Sequence, residues 1–221
     1  MRGRSGLTAP LVALSAVLLV AGPANAAIIA FPSRAAFGLG VTGEIVETWD
    51  DNGVGTVIPD GGILDGIIYS TSGPDSAVVN LFLPLSPPNS LGDVSDGFFS
   101  PGETISFSFP GPIIAFGISI NTFAQGAGAY SATNDLGDVA PSFFDPFPGV
   151  STGQFVGFIS DTPFSAVTIS AAPGDDGYTL DDLNFAPVAV AIPAPATLIL
   201  VGAGLAGVGA VSASWKRSRR G

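Results

Sequence analysis

The sequence has 221 residues and contains neither cysteine nor histidine. Their absence excludes a Ser-His-Asp triad, a cysteine nucleophile and an ordinary zinc site. It also excludes a disulfide framework, so cysteine usage cannot place the chain inside or outside the cell. No lysine lies between residues 27 and 190, which excludes a Schiff base in that stretch. The reactive groups that remain there are mainly carboxylates.

Positive charge is scarce and unevenly placed. The chain has 7 Lys and Arg against 18 Asp and Glu, and Arg34 is the one basic residue between 27 and 190. All 18 acidic residues fall in that stretch, which therefore has a net charge of −17. A surface this acidic repels nucleic acid and anionic lipid headgroups. We therefore expect no nucleic-acid partner.

The N-terminal residues 1–26 have the three parts of a secretory signal peptide. These parts are, in order, the basic residues Arg2 and Arg4, the apolar run LVALSAVLLV, and the small residues Ala24 and Ala26. The apolar run is short for a membrane span and Gly22-Pro23 interrupts it, which favours cleavage over an uncleaved anchor. We expect a signal peptidase to cut between Ala26 and Ala27.

The C-terminal end carries a hydrophobic stretch over residues 197–215, followed by a basic tail over 216–221. The stretch is long enough to cross a bilayer as a helix, and its glycines are tolerated in membranes. The four basic residues of the tail are expected to stay on the cytoplasmic side; they are Lys216, Arg217, Arg219 and Arg220. A buried core helix is the alternative, but it does not account for a terminal basic cluster.

The segment before this stretch, residues 187–196, is predicted to be a stiff linker and contains Pro193-Ala194-Pro195. The order of a proline motif, a glycine-rich span and a terminal basic cluster resembles the PEP-CTERM sorting signal of Gram-negative bacteria. The resemblance implies an exosortase-like enzyme that removes the tail, and association with biofilm and extracellular matrix. Ala194 stands where that family has Glu, so the motif is either a tolerated variant or part of a plain anchor.

The body, residues 27–186, has the sequence pattern of strands. Thr104 to Phe109 alternates apolar and polar residues, and frequent Gly and Pro separate the apolar segments. The strands expected from such patterns span 44–49, 66–71, 77–83, 104–109, 113–123, 155–160, 164–170 and 178–185. The strands 155–160 and 164–170 flank Asp161-Thr162-Pro163, which predicts a hairpin turn.

Short strands with many turns predict an all-β antiparallel sandwich, with a jelly roll preferred. Residues 134–150 are expected to be a long loop, and no helix is expected before the tail. Residues 104–185 also resemble the sandwich body common in PEP-CTERM proteins. That resemblance implies a concanavalin-like or carbohydrate-binding-like fold without a defined activity.

Acidic residues cluster near the last predicted strand. Asp181 could join Asp175 and Asp176 in an oxygen-rich calcium site. Asp181 and Asp182 cannot both point into one site from a regular strand, since neighbouring residues face opposite sides. Turn chemistry with solvated carboxylates explains the same residues and is the preferred interpretation. No other cofactor is expected.

A second acidic group surrounds Trp49, the one tryptophan between residues 27 and 190. Glu44, Glu47, Asp50 and Asp51 beside an aromatic ring could serve a glycosidase or a sugar-binding face. A sandwich also needs a large aromatic residue in its core, so core packing is preferred for Trp49.

The leading function is therefore an exported cell-envelope or extracellular-matrix protein with a structural or adhesive role and an exopolysaccharide partner. The membrane is a further partner through residues 197–215. A carbohydrate-binding module, with or without calcium, is the alternative, and a carboxylate-based glycoside hydrolase follows it. With no catalytic residue identified, the sequence predicts that the chain is not an enzyme.

Overall fold

The computed structural model describes residues 27–82, 84–122, 129–148, 152–172 and 177–188. Within these residues the fold contains thirteen strands and one short helix. In chain order they are β1 Ile28–Ala30, α1 Arg34–Gly40, β2 Ile45–Glu47, β3 Val57–Ile58, β4 Gly62–Leu64, β5 Ile67–Thr71, β6 Ala77–Asn80, β7 Ser90–Asp93, β8 Thr104–Thr122, β9 Tyr130–Asn134, β10 Val139–Pro141, β11 Phe143–Phe144, β12 Gln154–Ala171 and β13 Tyr178–Pro187. The prediction of an all-β antiparallel fold is confirmed.

Two long strands organise the whole sheet. β8 and β12 pair antiparallel from Thr104 opposite Ser170 to Ile120 opposite Gln154, with register shifts between Ile159 and Ala166. The first half of β8 also pairs with β5, and the second half pairs with β13. β9 pairs with the second half of β12. Each long strand therefore belongs to two groups of neighbours.

These two groups form two packed layers. The rings of Phe107 and Phe116, both in β8, lie 6.2 Å apart. Nine residues of straight strand would separate them by about 30 Å, so β8 must bend back across the core. β12 bends in the same way, because the rings of Phe158 and Phe164 stack at 5.3 Å. The first layer has the order β10-β9-β12-β8-β5-β4, and the second has β12-β8-β13-β7-β6-β3.

The core fills the space between the layers. The alternation predicted for β8 is observed, since Ile105, Phe107 and Phe109 are buried while Ser106 pairs with Thr168 through their hydroxyls at 2.7 Å. Trp49 lies in the same core, fully buried, and its Nε1 donates to Tyr69 Oη at 3.0 Å. Core packing of Trp49 is therefore confirmed.

The predicted hairpin at Asp161–Pro163 is wrong. Residues 155–160 and 164–170 do not pair with each other; both belong to β12 and both pair with β8. The turn residues mark the bend at which β12 passes between layers, and a bend and a reversal use the same residue types. Residues 134–150 were expected to be loop throughout but include β10 and β11.

The helix α1 was not predicted, because seven residues are too few to show a helical period. Ser33 caps it by accepting the Ala36 N–H at 3.2 Å, and Phe37 is its one buried residue. Phe37 packs over Gly117 and Gly157, where an added Cβ would come within 3.2 Å and 3.0 Å of the Phe37 ring. Glycine at these two positions thus makes room for the helix on the sheet. Among the residues that the structure describes, no helix has the length and hydrophobicity to span a membrane.

Candidate functional site

The side of the second layer that faces away from the core is called the outer face here. Alternate residues of β8 and β13 form this face, because successive side chains of a strand point to opposite sides of the sheet. These residues are Ala115, Gly117, Ser119 and Asn121 of β8 and Thr179, Asp181, Asn184 and Ala186 of β13. The helix α1 covers one end of this face. The chain between β6 and β7 crosses its middle, and the segment after β7 borders the other end.

A β-bulge turns two carboxylates to this face. Asp181 stands opposite Ser119 and Asn184 opposite Gly117, so that Asp182 and Leu183 together oppose one residue. Asp182 adopts a φ of 47°, which is uncommon for a residue other than glycine. The sequence argument that kept Asp181 and Asp182 out of one site assumed a regular strand, and the strand is not regular at this point.

Ser86 binds both carboxylates. Its N–H donates to Asp181 Oδ2 at 2.8 Å, and its hydroxyl donates to Asp182 Oδ1 at 2.7 Å and lies 3.4 Å from Asp181 Oδ1. The Asp182 N–H also donates to Asp181 Oδ1 at 2.7 Å. Both aspartates are 1% exposed. The pair therefore fastens the segment around Ser86 onto the outer face.

Arg34 provides the balancing charge. Its Nη2 forms an ion pair with Asp182 Oδ2, and its side chain stays 40% exposed. The Arg34 N–H donates to Asp145 Oδ2 at 2.8 Å. The single basic residue of the body thus lies where two acidic side chains approach the start of α1.

Burial, and after it the neighbouring charge of Asp182, raise the pKa of Asp181, which is about 7. Hydrogen bonds from the backbone of Ser86, Asp182 and Leu85 oppose these effects. A carboxyl group in this environment holds its proton well above the usual pH range of aspartate.

Three cavities lined by described residues open along the outer face. Their volumes are about 330, 230 and 400 Å³. The first is lined by Asn121 and Thr179, the second by Ser119 and the third by Asn184. Asn184 is paired with Gly117 in β8, so each cavity lies beside one of three alternate positions of that strand: 117, 119 and 121. These positions span four residues of strand, and the cavities therefore follow one another over about 13 Å.

The acidic group around Trp49 is arranged differently from the sequence prediction. The predicted strand 44–49 ends early, because β2 ends at Glu47 and Trp49 has a φ of 59°. Carboxylate oxygens of Glu47, Asp51 and Asp65 lie within 4.8 Å of one another. Burial raises the pKa of Glu47, while the Trp49 N–H, which it accepts at 2.8 Å, lowers it. Asn52 Nδ2 donates to both Asp51 and Asp65 at 3.0 Å and offsets part of their repulsion.

The residues proposed from the sequence fall into two groups. Outside the described residues lie the signal-cleavage residues Ala24 and Ala26, the motif Pro193, Ala194 and Pro195, the basic cluster Lys216, Arg217, Arg219 and Arg220, and the calcium candidates Asp175 and Asp176. Ala27 and Asp181 are described. Asp181 binds donors of this chain, as given above, and the calcium site with Asp175 and Asp176 stays a prediction.

Several residues of the outer face were missed by the sequence analysis. Arg34 carried a usable signal, because it is the one cation among the carboxylates of the body. Ser86, Phe82 and Phe98 carried none, since only the tertiary fold brings them to the outer face.

No family model matches this chain, and no curated protein matches it. Among solved structures, it is similar to the catalytic unit of a thermostable GH87 alpha-1,3-glucanase from Streptomyces thermodiastaticus strain HF3-3, with 12% identity and a TM-score of 0.37. That match covers 70% of this chain and 28% of the other. A GH87 alpha-1,3-glucanase catalytic domain in complex with nigerose is 16% identical with a TM-score of 0.36, over 65% of this chain and 31% of the other.

The chain thus spans less than a third of the structures that it matches. The similarity concerns part of each chain, and it does not extend to an activity. The prediction that the chain is not an enzyme is nevertheless contradicted, because the matched structures are catalytic domains of glycoside hydrolases.

Proposed function

We propose that this chain is an exported cell-envelope or extracellular-matrix protein whose β domain binds exopolysaccharide in a structural or adhesive role. The observation that carries the proposal is the row of three cavities on the outer face. A row of about 13 Å suits a polymer of repeating units better than one small molecule. The net charge of −17 between residues 27 and 190 favours neutral chains over anionic ones.

A jelly-roll-like sandwich is the topology that we infer for the body. The shared strands β8 and β12 and the antiparallel pairing of both layers support it. In such a sandwich one layer can present a broad outer surface to a ligand while the other layer completes the core.

Binding to polysaccharide is tested with the full-length chain on a glycan array, with and without a chelator of divalent cations. Binding to neutral glycans is the expected result. A loss of binding with chelator would indicate the calcium-dependent module instead of a metal-free surface. Failure to bind any neutral glycan would contradict the proposal.

Sorting is a separate part of the proposal. Residues 193–221 are inferred to act as a signal that an exosortase-like enzyme removes, with Lys216, Arg217, Arg219 and Arg220 holding the end inside the cell. The chain, carrying an epitope in the body, is expressed in the native host and in a strain without exosortase. Mass spectrometry should show loss of the hydrophobic stretch in the native host alone. An intact stretch in both strains would make the tail an ordinary anchor.

Hydrolysis of a glycosidic bond is a second candidate. The specific observation in its favour is Asp181, whose pKa of about 7 is that of a carboxylic acid able to give up a proton near neutrality. The test is release of reducing sugar from neutral glucans by the wild-type chain and by Asp181→Asn. Release that depends on Asp181 would support this candidate, and equal release by both would remove Asp181 from it.

A further inference from the structure

Two phenylalanine side chains line the first cavity of the outer face, which has a volume of about 330 Å³. This volume is at the lower end of the range for small-molecule pockets, about 300–1,000 Å³. The cavity is lined by Phe82, Phe98, Pro101, Asn121, Gly177, Tyr178 and Thr179. It therefore combines apolar walls with a few polar groups, which is the usual composition of a ligand site.

Two phenylalanine rings form the walls. Phe82 and Phe98 have ring centroids 5.9 Å apart and planes inclined at 42°, and Phe82 is 37% exposed. The Phe98 ring lies against Gly177, where an added Cβ would come within 2.7 Å of Phe98 Cε2. Glycine at this position therefore leaves room for the Phe98 ring next to β13.

Asn80 holds both walls. Its Oδ1 accepts the Phe82 N–H at 2.7 Å, and its Nδ2 donates to the carbonyl of Gly97, the neighbour of Phe98, at 2.8 Å. The Ser90 hydroxyl shares its one hydrogen between Asn80 Oδ1 at 2.8 Å and the Phe82 carbonyl at 3.0 Å. One side chain at the end of β6 thus fixes two loops before a ligand arrives, which reduces the entropy lost on binding.

The floor of the cavity is polar. Asn121 Nδ2 donates to Thr179 Oγ1 at 3.2 Å, and Thr179 Oγ1 donates to the Phe82 carbonyl at 3.3 Å. These two hydrogen bonds connect the floor of the cavity to the Phe82 wall. They also place an amide group and a hydroxyl group at the floor. No charged side chain lines this cavity among the described residues.

We propose that this cavity binds one uncharged hexose unit of a polysaccharide, with the sugar ring against Phe82 and Phe98 and its hydroxyls toward Asn121 and Thr179. A pyranose ring has apolar C–H faces and polar edges, and the walls and floor match that division. The acidic body disfavours uronic or sulfated sugars. The assignment rests on the proposed function, which it narrows to one site and one class of sugar.

The test uses the full-length chain in a detergent without a sugar headgroup, titrated calorimetrically with neutral glucose hexasaccharides of different linkage and with hexagalacturonic acid. Phe82→Ala and Phe98→Ala are each expected to weaken neutral-sugar binding by about tenfold or more, as for a central aromatic contact. Phe82→Leu and Phe98→Leu retain apolar volume without the ring and should also weaken it. Phe144→Ala is the matched control, since Phe144 is a 50% exposed phenylalanine of β11.

The outcomes separate this assignment from the proposed function. The assignment is supported if the Phe82 and Phe98 variants lose binding while Phe144→Ala binds like wild type. The leucine variants must also unfold at the same temperature as wild type. Neutral-sugar binding that all these variants retain overturns the assignment and leaves the proposed function standing. Equal or tighter binding of hexagalacturonic acid overturns the preference for uncharged sugar. If no neutral hexasaccharide binds, both proposals fail.

Discussion

Asp181 and Asp182, adjacent in the chain, turn their carboxylates to the same Ser86 hydroxyl. The bulge at Asp182 is what permits this, because a regular strand would separate the two side chains onto opposite faces. Burial and the neighbouring charge of Asp182 raise the pKa of Asp181. The arrangement couples the fold of the outer face to pH.

The first prediction concerns this coupling. The pKa of Asp181 is about 7 in the folded protein, while an unfolded aspartate titrates near 3.8. Between these values the folded protein holds a proton that the unfolded chain has lost, so the free energy of unfolding falls as the pH rises from about 4 to about 7. The slope from this group is at most about 1.4 kcal/mol per pH unit. Urea denaturation across this range measures it.

Asp181→Asn should flatten that slope, although the variant also loses a hydrogen bond and is less stable overall. The remaining carboxylates repel one another as they ionise, so the comparison needs a control with one exposed carboxylate removed. Asp96→Asn is this control, because the Asp96 side chain is exposed. If Asp181→Asn and Asp96→Asn keep the same slope as wild type, Asp181 does not hold its proton as argued. The groups that face Asp181 are Asp182 and Ser86, with Arg34 paired to Asp182.

The second prediction concerns Arg34. Arg34→Ala leaves the buried Asp182 without its cation, yet keeps the backbone bond to Asp145 that starts α1. We expect the free energy of unfolding to fall by about 2 kcal/mol, less than for a fully buried pair because the arginine is 40% exposed. Denaturant unfolding of Arg34→Ala, Asp182→Asn and the double variant measures the coupling. Strictly additive effects would show that the two side chains do not interact.

The third prediction concerns Asn80. Asn80→Ala removes the acceptor of the Phe82 N–H and the donor to the Gly97 carbonyl, so both aromatic walls lose their shared support. The amide of Phe82 should exchange its hydrogen faster, and neutral-sugar affinity should fall about tenfold. Hydrogen exchange by mass spectrometry and calorimetry measure the two effects. Unchanged exchange at Phe82 would show that Asn80 does not hold this wall.

The fourth prediction concerns the start of the exported protein. N-terminal sequencing should begin Ala27-Ile28-Ile29, as the order of the signal peptide requires. The Ala27 nitrogen donates to Asp161 Oδ1 at 3.1 Å, and after cleavage this nitrogen would be a charged amine facing a carboxylate. Asp161→Asn should lower stability by less than about 1 kcal/mol, because the pair is exposed. A mature protein that still begins at Met1 would contradict the cleavage.

Local patterns carried most of the strand assignment. Thr104 to Phe109 alternates in sequence and in burial because one face of β8 packs in the core there. The hairpin predicted at Asp161–Pro163 was wrong because the same residue types occur in bends and in chain reversals. The choice between a bend and a reversal depends on the partner strand β8, which is some fifty residues away in sequence. The seven-residue helix α1 is held by Gly117 and Gly157, which lie far from it in sequence.

The site was less predictable than the fold for the same reason. Trp49 was correctly placed in the core from its size and its position in a sandwich. The pairing of Asp182 with Arg34 joins residues at opposite ends of the body, and the bulge that makes it possible has no local mark in the sequence. Asn80 lay inside the predicted strand 77–83, and its bonds to two separate loops follow from tertiary structure alone.

The position of β13 in the sheet has a mechanical consequence. β13 is the last described strand, and it is hydrogen-bonded to β8 on one side and to β7 and β2 on the other. A pull applied at residue 188 runs along β13, so the hydrogen bonds of two neighbouring ladders must shear together instead of opening one after another from an edge. A domain tethered at that end and loaded through its outer face would therefore resist extension at the strand that carries its own binding surface.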